Sequence, residues 1–289
     1  MITEETNPRS QDIDRLATAD ILRIINEEDQ GVALAVQKVI PEITRAVDLV
    51  VERMQRGGRL FYIGAGTSGR LGVLDASECI PTFNTHPDQV QGIIAGGQAA
   101  LTRALEGAED NRKAAVHDLQ AVSLTQDDTV IGIAASGRTP YVLSGLEYAS
   151  DLGAGTVFIT CNHPVGDTHS NVVIAAIVGP EVITGSTRMK AGTAQKMILN
   201  MISTTTMIKL GKVYGNLMVD VQPRNQKLHE RAVRLVTTIA ETDEANARHL
   251  LELASYEVKT AVVMSKHQIS AEDARQRLQQ ANGILRRVL

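Results

Sequence analysis

Leu60-Phe61-Tyr62-Ile63-Gly64-Ala65-Gly66-Thr67-Ser68-Gly69-Arg70-Leu71-Gly72-Val73-Leu74-Asp75-Ala76-Ser77-Glu78 is the stretch on which the reading of this 289-residue chain turns. The apolar run 60–63 reads as a strand, and Leu71, Val73, Leu74 and Ala76 carry a helical pattern after it. A strand, a glycine turn and a helix start together aim unpaired backbone N–H groups and the positive end of a helix dipole at an anion. Gly64 and Gly66 permit close approaches that a Cβ would block, and Thr67 and Ser68 add hydroxyl donors. The stretch reads as a phosphate cradle. It also spells G-x-G-x-x-G, but a dinucleotide site wants a carboxylate ending a second strand about twenty residues on. The next strand pattern, 90–95, runs into Gly96-Gly97 instead. Arg70-Leu71 stand where a Walker A loop needs Lys and then Ser or Thr. A plain strand-to-helix turn is the remaining alternative.

Working outward, the length allows one large domain or two. A hydrophobic share of 43% with 21% charged residues is ordinary for a globular chain. A net charge of −4 gives no reason to expect nucleic acid or an acidic membrane as partner. The first ten residues show no signal-peptide pattern, and no apolar run approaches the roughly 18 residues of a membrane span. The two cysteines, Cys79 and Cys161, make no disulfide framework, which places the expectation in a reducing cytoplasm. With no Trp and 3% aromatic residues, stacking platforms for bases are scarce.

Residues 1–30 read as a polar arm, either packed on the body or clasping a partner. Ile43, Val47, Val50 and Met54 share one helical face, with Pro41 at its start and Gly57-Gly58 at its end. After Glu78 the sequence reads as irregular, then as a strand at 90–95 and one helix over 99–117. A strand at 129–133 runs into Ala134-Ala135-Ser136-Gly137-Arg138-Thr139-Pro140, and a helix over 141–152 follows. Two more apolar strand patterns lie at 155–160 and 172–178. A third polar loop, 185–190, leads into a helix to about residue 210. Strands alternating with helices predict an α/β, doubly wound, mainly parallel sheet. Beyond Pro223 the periodicity stays helical, with breaks near Thr242-Asp243 and at Ser270. The expected organisation is an arm (1–30), an α/β body (31–220) and an all-helical region (221–289).

Three hydroxyl-rich loops (67–69, 136–139, 186–190) therefore lie at or beyond strand ends, where ligands bind in open α/β sheets; ordinary Ser/Thr turn chemistry is their bland reading. Glu78 and Glu109 are the carboxylates to watch, since a glutamate in a partly apolar pocket serves as an acid or base at neutral pH. On pattern alone both read as solvated helical residues. His163, Asp167 and His169 have the spacing of a metal half-site but sit in a turn-rich segment. Cys79 lacks a visible base and reads as a buried helical cysteine. His229 reads as structural.

Several segments closely resemble the N-acetylmuramic acid 6-phosphate etherase family. They are 64–72, Leu74-Asp75-Ala76-Ser77-Glu78-Cys79, Glu106-Gly107-Ala108-Glu109-Asp110, 132–141, 184–186 with 188–196, and Gly215-Asn216-Leu217-Met218-Val219-Asp220. The match runs through most of the chain in order; Ile80 departs from it, where the family has proline. The resemblance implies a sugar-isomerase (SIS) phosphosugar-binding fold, a homodimer, no cofactor or metal, and loss of D-lactate from the 6-phosphosugar. It implies Glu78 as the acid that protonates departing lactate and Glu109 as the C2 base or water activator. It further implies that Thr67, Ser68, Gly69, Ser136, Gly137, Arg138 and Thr139 hold the phosphate and sugar, while Lys190 and His229 are candidates to reach a partner's site. A phosphosugar isomerase or a phosphosugar-sensing regulator would use the same fold; the first releases no lactate. The second would show an internal repeat or a basic DNA-binding module, neither of which is visible.

Overall fold

In the computed structural model of the protein, residues 1–221 and 226–289 are described; Pro223, named above, lies outside them. The chain forms two compact units: residues 1–77 with 87–203, and residues 78–86 with 204–289.

The first unit is built on a five-stranded sheet of β1 (Leu60–Gly64), β2 (Val90–Ile94), β3 (Thr129–Ile133), β4 (Gly155–Thr160) and β5 (Val172–Ala175), in the order β2-β1-β3-β4-β5. Every pairing is parallel. Strands β1, β3 and β4 are buried along their whole length, as near-continuous apolar runs must be when helices cover both faces. Phe61, Ile63, Val130 and Phe158 meet Leu119 of α5 (Arg112–Ala121) and Tyr141, Val142 and Leu146 of α6 (Pro140–Asp151) on one face. The alternate residues Tyr62 and Ile133 face α3 (Gly66–Phe83), whose Gly72 leaves no room for a Cβ against Tyr62. Helix α1 (Thr18–Gln37) precedes α2 (Ile40–Gln55), which buries Ile43, Ala46, Val47, Val50 and Met54. The short α4 (Ala99–Thr102) follows β2, and α7 (Lys190–Lys209) follows β5. The polar N-terminus is packed: Asn162 Nδ2 donates to Thr3 Oγ1 at 2.9 Å and Ser10 Oγ donates to the Val182 carbonyl at 2.7 Å.

Two expectations are corrected. The irregular piece expected after Glu78 begins only at Asn84, because α3 continues through Pro81 to Phe83. The single helix expected over 99–117 is broken into α4, a 3₁₀ turn (Ala108–Asp110) and α5. Gly107 takes the left-handed conformation (φ +74°), and Asn111 caps α5 by accepting from the Ala114 N–H at 3.1 Å. Arg70 reaches across from α3 and donates to the carbonyls of Leu101 and Arg103, both at 3.0 Å. Those backbone groups are thereby used outside a helix.

The second unit is helical: α8 (Gln226–Ala240), α9 (Glu244–Leu253), α10 (Val258–His267) and α11 (Ala271–Gln280) follow a small hairpin of β6 (Val213–Tyr214) and β7 (Leu217–Met218). Val236, Leu251, Val262 and Leu285 are among its core. Asp243 and Ser270 cap α9 and α11, accepting from the N–H groups of Asn246 (2.8 Å) and Asp273 (3.1 Å), as the breaks in the sequence anticipate. Asp220 ties the hairpin's far strand to both Lys212 (3.1 Å) and Lys259 (2.7 Å).

Candidate active site

The sheet order fixes where a ligand belongs. β1 and β3 are neighbours, yet the chain leaves β1 for β2 on one side and β3 for β4 on the other. The loops following β1 and β3 therefore diverge and leave a crevice beyond the strands' carboxyl ends, the binding place of open α/β sheets.

The first loop is a single residue, Ala65, between the end of β1 and the start of α3. Gly66 is left-handed (φ +54°). A Cβ on Gly69 would stand 2.6 Å from the Gly64 carbonyl oxygen, so glycine alone lets the first turn of α3 sit on the strand end. The N–H groups of Gly66, Thr67 and Ser68 open the helix with no intrahelical acceptor, whereas the Gly69 N–H already donates to the Ala65 carbonyl at 3.2 Å; such a helix start suits an anion. Thr67 is half-buried and Ser68 is buried; the Ser68 hydroxyl donates to Gln195 Oε1 at 2.9 Å.

In the second loop Gly137 is again left-handed (φ +76°), and Ser136 Oγ accepts from the Arg138 N–H at 3.3 Å. Asn162 Nδ2 and Thr160 Oγ1 hold the Ala135 carbonyl at 2.9 and 3.3 Å, and Pro140 opens α6. Ser136, Gly137 and Arg138 line a cleft of about 180 Å³ with Asn162, His163 and the first residues of the chain. Thr139 stands at the N-cap of α6.

A separate cleft of about 210 Å³ lies beside the first loop, walled by Ala65, Gly66, Arg70, Leu105, Glu106 and Glu109. Glu109 and the cradle are thus brought together, because the break between α4 and α5 folds residues 103–109 over the loop. Glu78 lines neither cleft. It is exposed on α3, twelve residues past Gly66, or about 18 Å of helix rise.

The third loop differs from the first two. Glu181 is wholly buried and accepts from the backbone N–H groups of Lys190 (3.0 Å) and Ala191 (2.9 Å), so a carboxylate of the chain itself already occupies the N-terminus of α7. Lys190 is 3% exposed and pairs with Glu28 Oε2 of α1 at 2.5 Å. Burial raises the Glu28 carboxyl, but the hydrogen bonds from Lys190 and Asn7 outweigh it and hold the group below its ordinary range. Within this chain Lys190 is a structural cation. His229 packs its ring edge-on against Tyr256, centroids 4.7 Å apart, inside the helical unit.

The remaining candidates take their bland readings. The His169 N–H is bonded to Asp167 Oδ1 at 2.8 Å in an Asx turn, and among the described residues no group of three or more His, Cys, Asp and Glu is placed to hold a metal. Cys79 and Cys161 are buried and unbridged, and burial pushes the Cys161 thiol up to about 12, far from a working nucleophile.

Three buried polar residues escaped the sequence reading. Glu181 caps a helix from nine residues upstream, outside any capping-box spacing. Asp75, buried in α3, accepts from Tyr62 Oη (3.0 Å), Asn200 Nδ2 (2.7 Å) and Ser203 Oγ (3.1 Å), joining β1, α3 and α7. Gln195 holds Ser68. Only polar residues recurring on apolar helix faces hinted at the last two.

The fold of the first unit is found among solved structures. A phosphoheptose isomerase from Neisseria gonorrhoeae superposes with a TM-score of 0.50 at 14% identity, over 66% of this chain and 98% of its own, a likeness of fold alone. Family models for the glucokinase regulatory protein match residues 42–150 as its N-terminal SIS domain and residues 215–283 as its C-terminal lid domain. The full-length relatives are nearer. A protein of Geobacillus sp. is 54% identical over 100% of this chain and 98% of its own, and one of Pasteurella multocida is 53% identical over 100% and 96%; both are named N-acetylmuramic acid 6-phosphate etherase. At that identity over its whole length, the chain belongs to the N-acetylmuramic acid 6-phosphate etherase family.

Proposed function

We propose that this chain cleaves the D-lactyl ether of N-acetylmuramic acid 6-phosphate, giving N-acetylglucosamine 6-phosphate and D-lactate. The observation that carries this reading is the end-to-end similarity to relatives bearing the etherase name, joined to a cleft at the carboxyl end of β1 with Glu109 in its wall. In the open-chain aldehyde the carbonyl acidifies the C2 proton. A carboxylate removes it, the C3–O bond breaks as the lactyl oxygen takes a proton, and a C2–C3 double bond forms. Water then adds at C3 and a proton returns to C2. The cycle needs one base and one acid.

Thr67, Ser68 and Gly69 hold the phosphate at the first loop, and Ser136, Gly137, Arg138 and Thr139 hold the sugar from the second. Glu109 is the base at C2. Glu78 is the acid; with about 18 Å of helix between it and the cradle, it serves a sugar bound to a second copy of the chain. The working molecule is therefore a homodimer, active in the cytoplasm, where its two buried thiols stay reduced.

The test is D-lactate release from N-acetylmuramic acid 6-phosphate by the purified protein in EDTA. Stoichiometric lactate is expected. In Glu78→Ala lactate release collapses while solvent exchange of the C2 proton survives; full activity in that variant removes Glu78 from the mechanism. Tight phosphosugar binding with no lactate favours a sensor or an isomerase.

A further inference from the structure

Gln195 lies in α7 with none of its surface exposed. Its Oε1 accepts the Ser68 hydroxyl proton at 2.9 Å, and its Nε2 is buried with no hydrogen-bond partner. A buried amide nitrogen left unpaired is costly, and natural structures rarely tolerate it without reason. The place is the cradle itself: Ser68 is in the first turn of α3, and the neighbouring Thr67 abuts Gly192, one turn before Gln195 on α7.

Hydrogen-bond valence makes the arrangement informative. A serine hydroxyl has one proton, and a phosphate monoester dianion offers only acceptors. With its proton given to Gln195 Oε1, Ser68 can only accept, which is the wrong polarity for phosphate. Turning the terminal amide by half a revolution puts Nε2 where Oε1 stands. Nε2 then donates to Ser68 Oγ, and the Ser68 proton is released toward the crevice. The unpaired nitrogen gains its partner in the same movement, and the unpaired group becomes a carbonyl oxygen, the better tolerated of the two.

We infer that Gln195 is a positioning residue for the phosphate of the substrate: its amide relays a hydrogen bond through Ser68, and phosphate binding selects the orientation in which Nε2 donates to Ser68 and Ser68 donates to a phosphate oxygen. The inference rests on the cradle reading proposed above. It assigns to Gln195 no contact with the ligand.

The test is a double-mutant cycle of Gln195→Met and Ser68→Ala, read as KM and kcat for lactate release and as the inhibition constant of inorganic phosphate. A hydrogen bond to a charged group sets the scale, so each single variant raises KM and the phosphate inhibition constant about tenfold, with kcat within about twofold. In the Ser68→Ala background, Gln195→Met adds less than about twofold. Equal effects of Gln195→Met in both backgrounds, or a phosphate constant unmoved by Ser68→Ala, overturn the relay and leave the etherase reading standing. If Gln195→Met does not fold, the wild-type chain decides. On adding inorganic phosphate its ¹⁵N spectrum shows one side-chain amide pair moving that is silent in Ser68→Ala; an unmoved pair overturns the relay. Absence of lactate with that phosphate response intact removes the reaction and keeps the relay.

Discussion

Residue by residue, the site divides into groups whose place is set by backbone and groups whose place is set by other side chains. Glu109 belongs to the first kind: it sits on an exposed 3₁₀ turn behind the left-handed Gly107. Its replacement leaves the fold within about 0.5 kcal/mol. We expect Glu109→Gln to lower kcat by about 10²-fold or more, with an unchanged urea midpoint, because a general base contributes on that scale. A wild-type rate in that variant ends the assignment. Ser68 belongs to the second kind, since its hydroxyl points where Gln195 directs it. The pattern G-A-G-T-S-G announced Ser68, whereas nothing within ten residues of it announced Gln195.

At the scale of elements, one tether shapes a wall of the site and a second holds the far end of the sheet. Arg70 pins the carbonyls of Leu101 and Arg103 and so shapes the cleft around Glu109. Lysine has no planar fork to serve two carbonyls. Arg70→Lys is expected to speed amide hydrogen exchange in residues 103–109 of the ligand-free protein and to lower kcat/KM about tenfold through lost positioning. Unchanged exchange would show that the segment holds itself. The second tether joins the opposite strand ends. Asp128, its side chain 2% exposed, accepts from Arg59 N (2.8 Å), Nε (3.1 Å) and Nη2 (2.8 Å) and from Thr125 N (2.8 Å). Burial raises the Asp128 carboxyl, yet the bonds from Arg59 and Thr125 prevail and its pKa lies below the usual range. A depressed carboxylate contributes stability that is complete above its unfolded value, about 3.9, and is lost as pH falls through the folded one. Asp128→Asn should therefore cost about 3–5 kcal/mol at pH 7. The difference from wild type in urea midpoints holds down to about pH 5 and narrows below about pH 4. A difference that stays constant to pH 3 would contradict this account.

For the whole molecule, the proposal that Glu78 serves a partner's site has a direct consequence. In a two-fold dimer each site would pair Glu109 of one chain with Glu78 of the other. Mixing and re-equilibrating the inactive variants Glu78→Ala and Glu109→Gln then yields heterodimers with one intact site. Activity should return to about a quarter of wild type, the share expected when half the dimers are mixed. No recovery would place both carboxylates in one chain's site.

The sequence by itself determined the five strands of the main sheet, most of the helices, the parallel α/β architecture, the glycine turn after β1, the helix break near Asp243 and the cap at Ser270. Each of these is written in neighbours two to four residues apart, which strand alternation, helical periodicity and capping make readable. Only the tertiary structure decided the break between Ala99 and His117, where Arg70 takes carbonyls that periodicity had assigned to a helix. It likewise decided that the third loop's helix end is filled by Glu181 and that Lys190 is held by Glu28. These are bonds between side chains and distant backbone or side-chain groups. Their partners are chosen by how the helices pack on the sheet, and no local pattern in the chain records that choice.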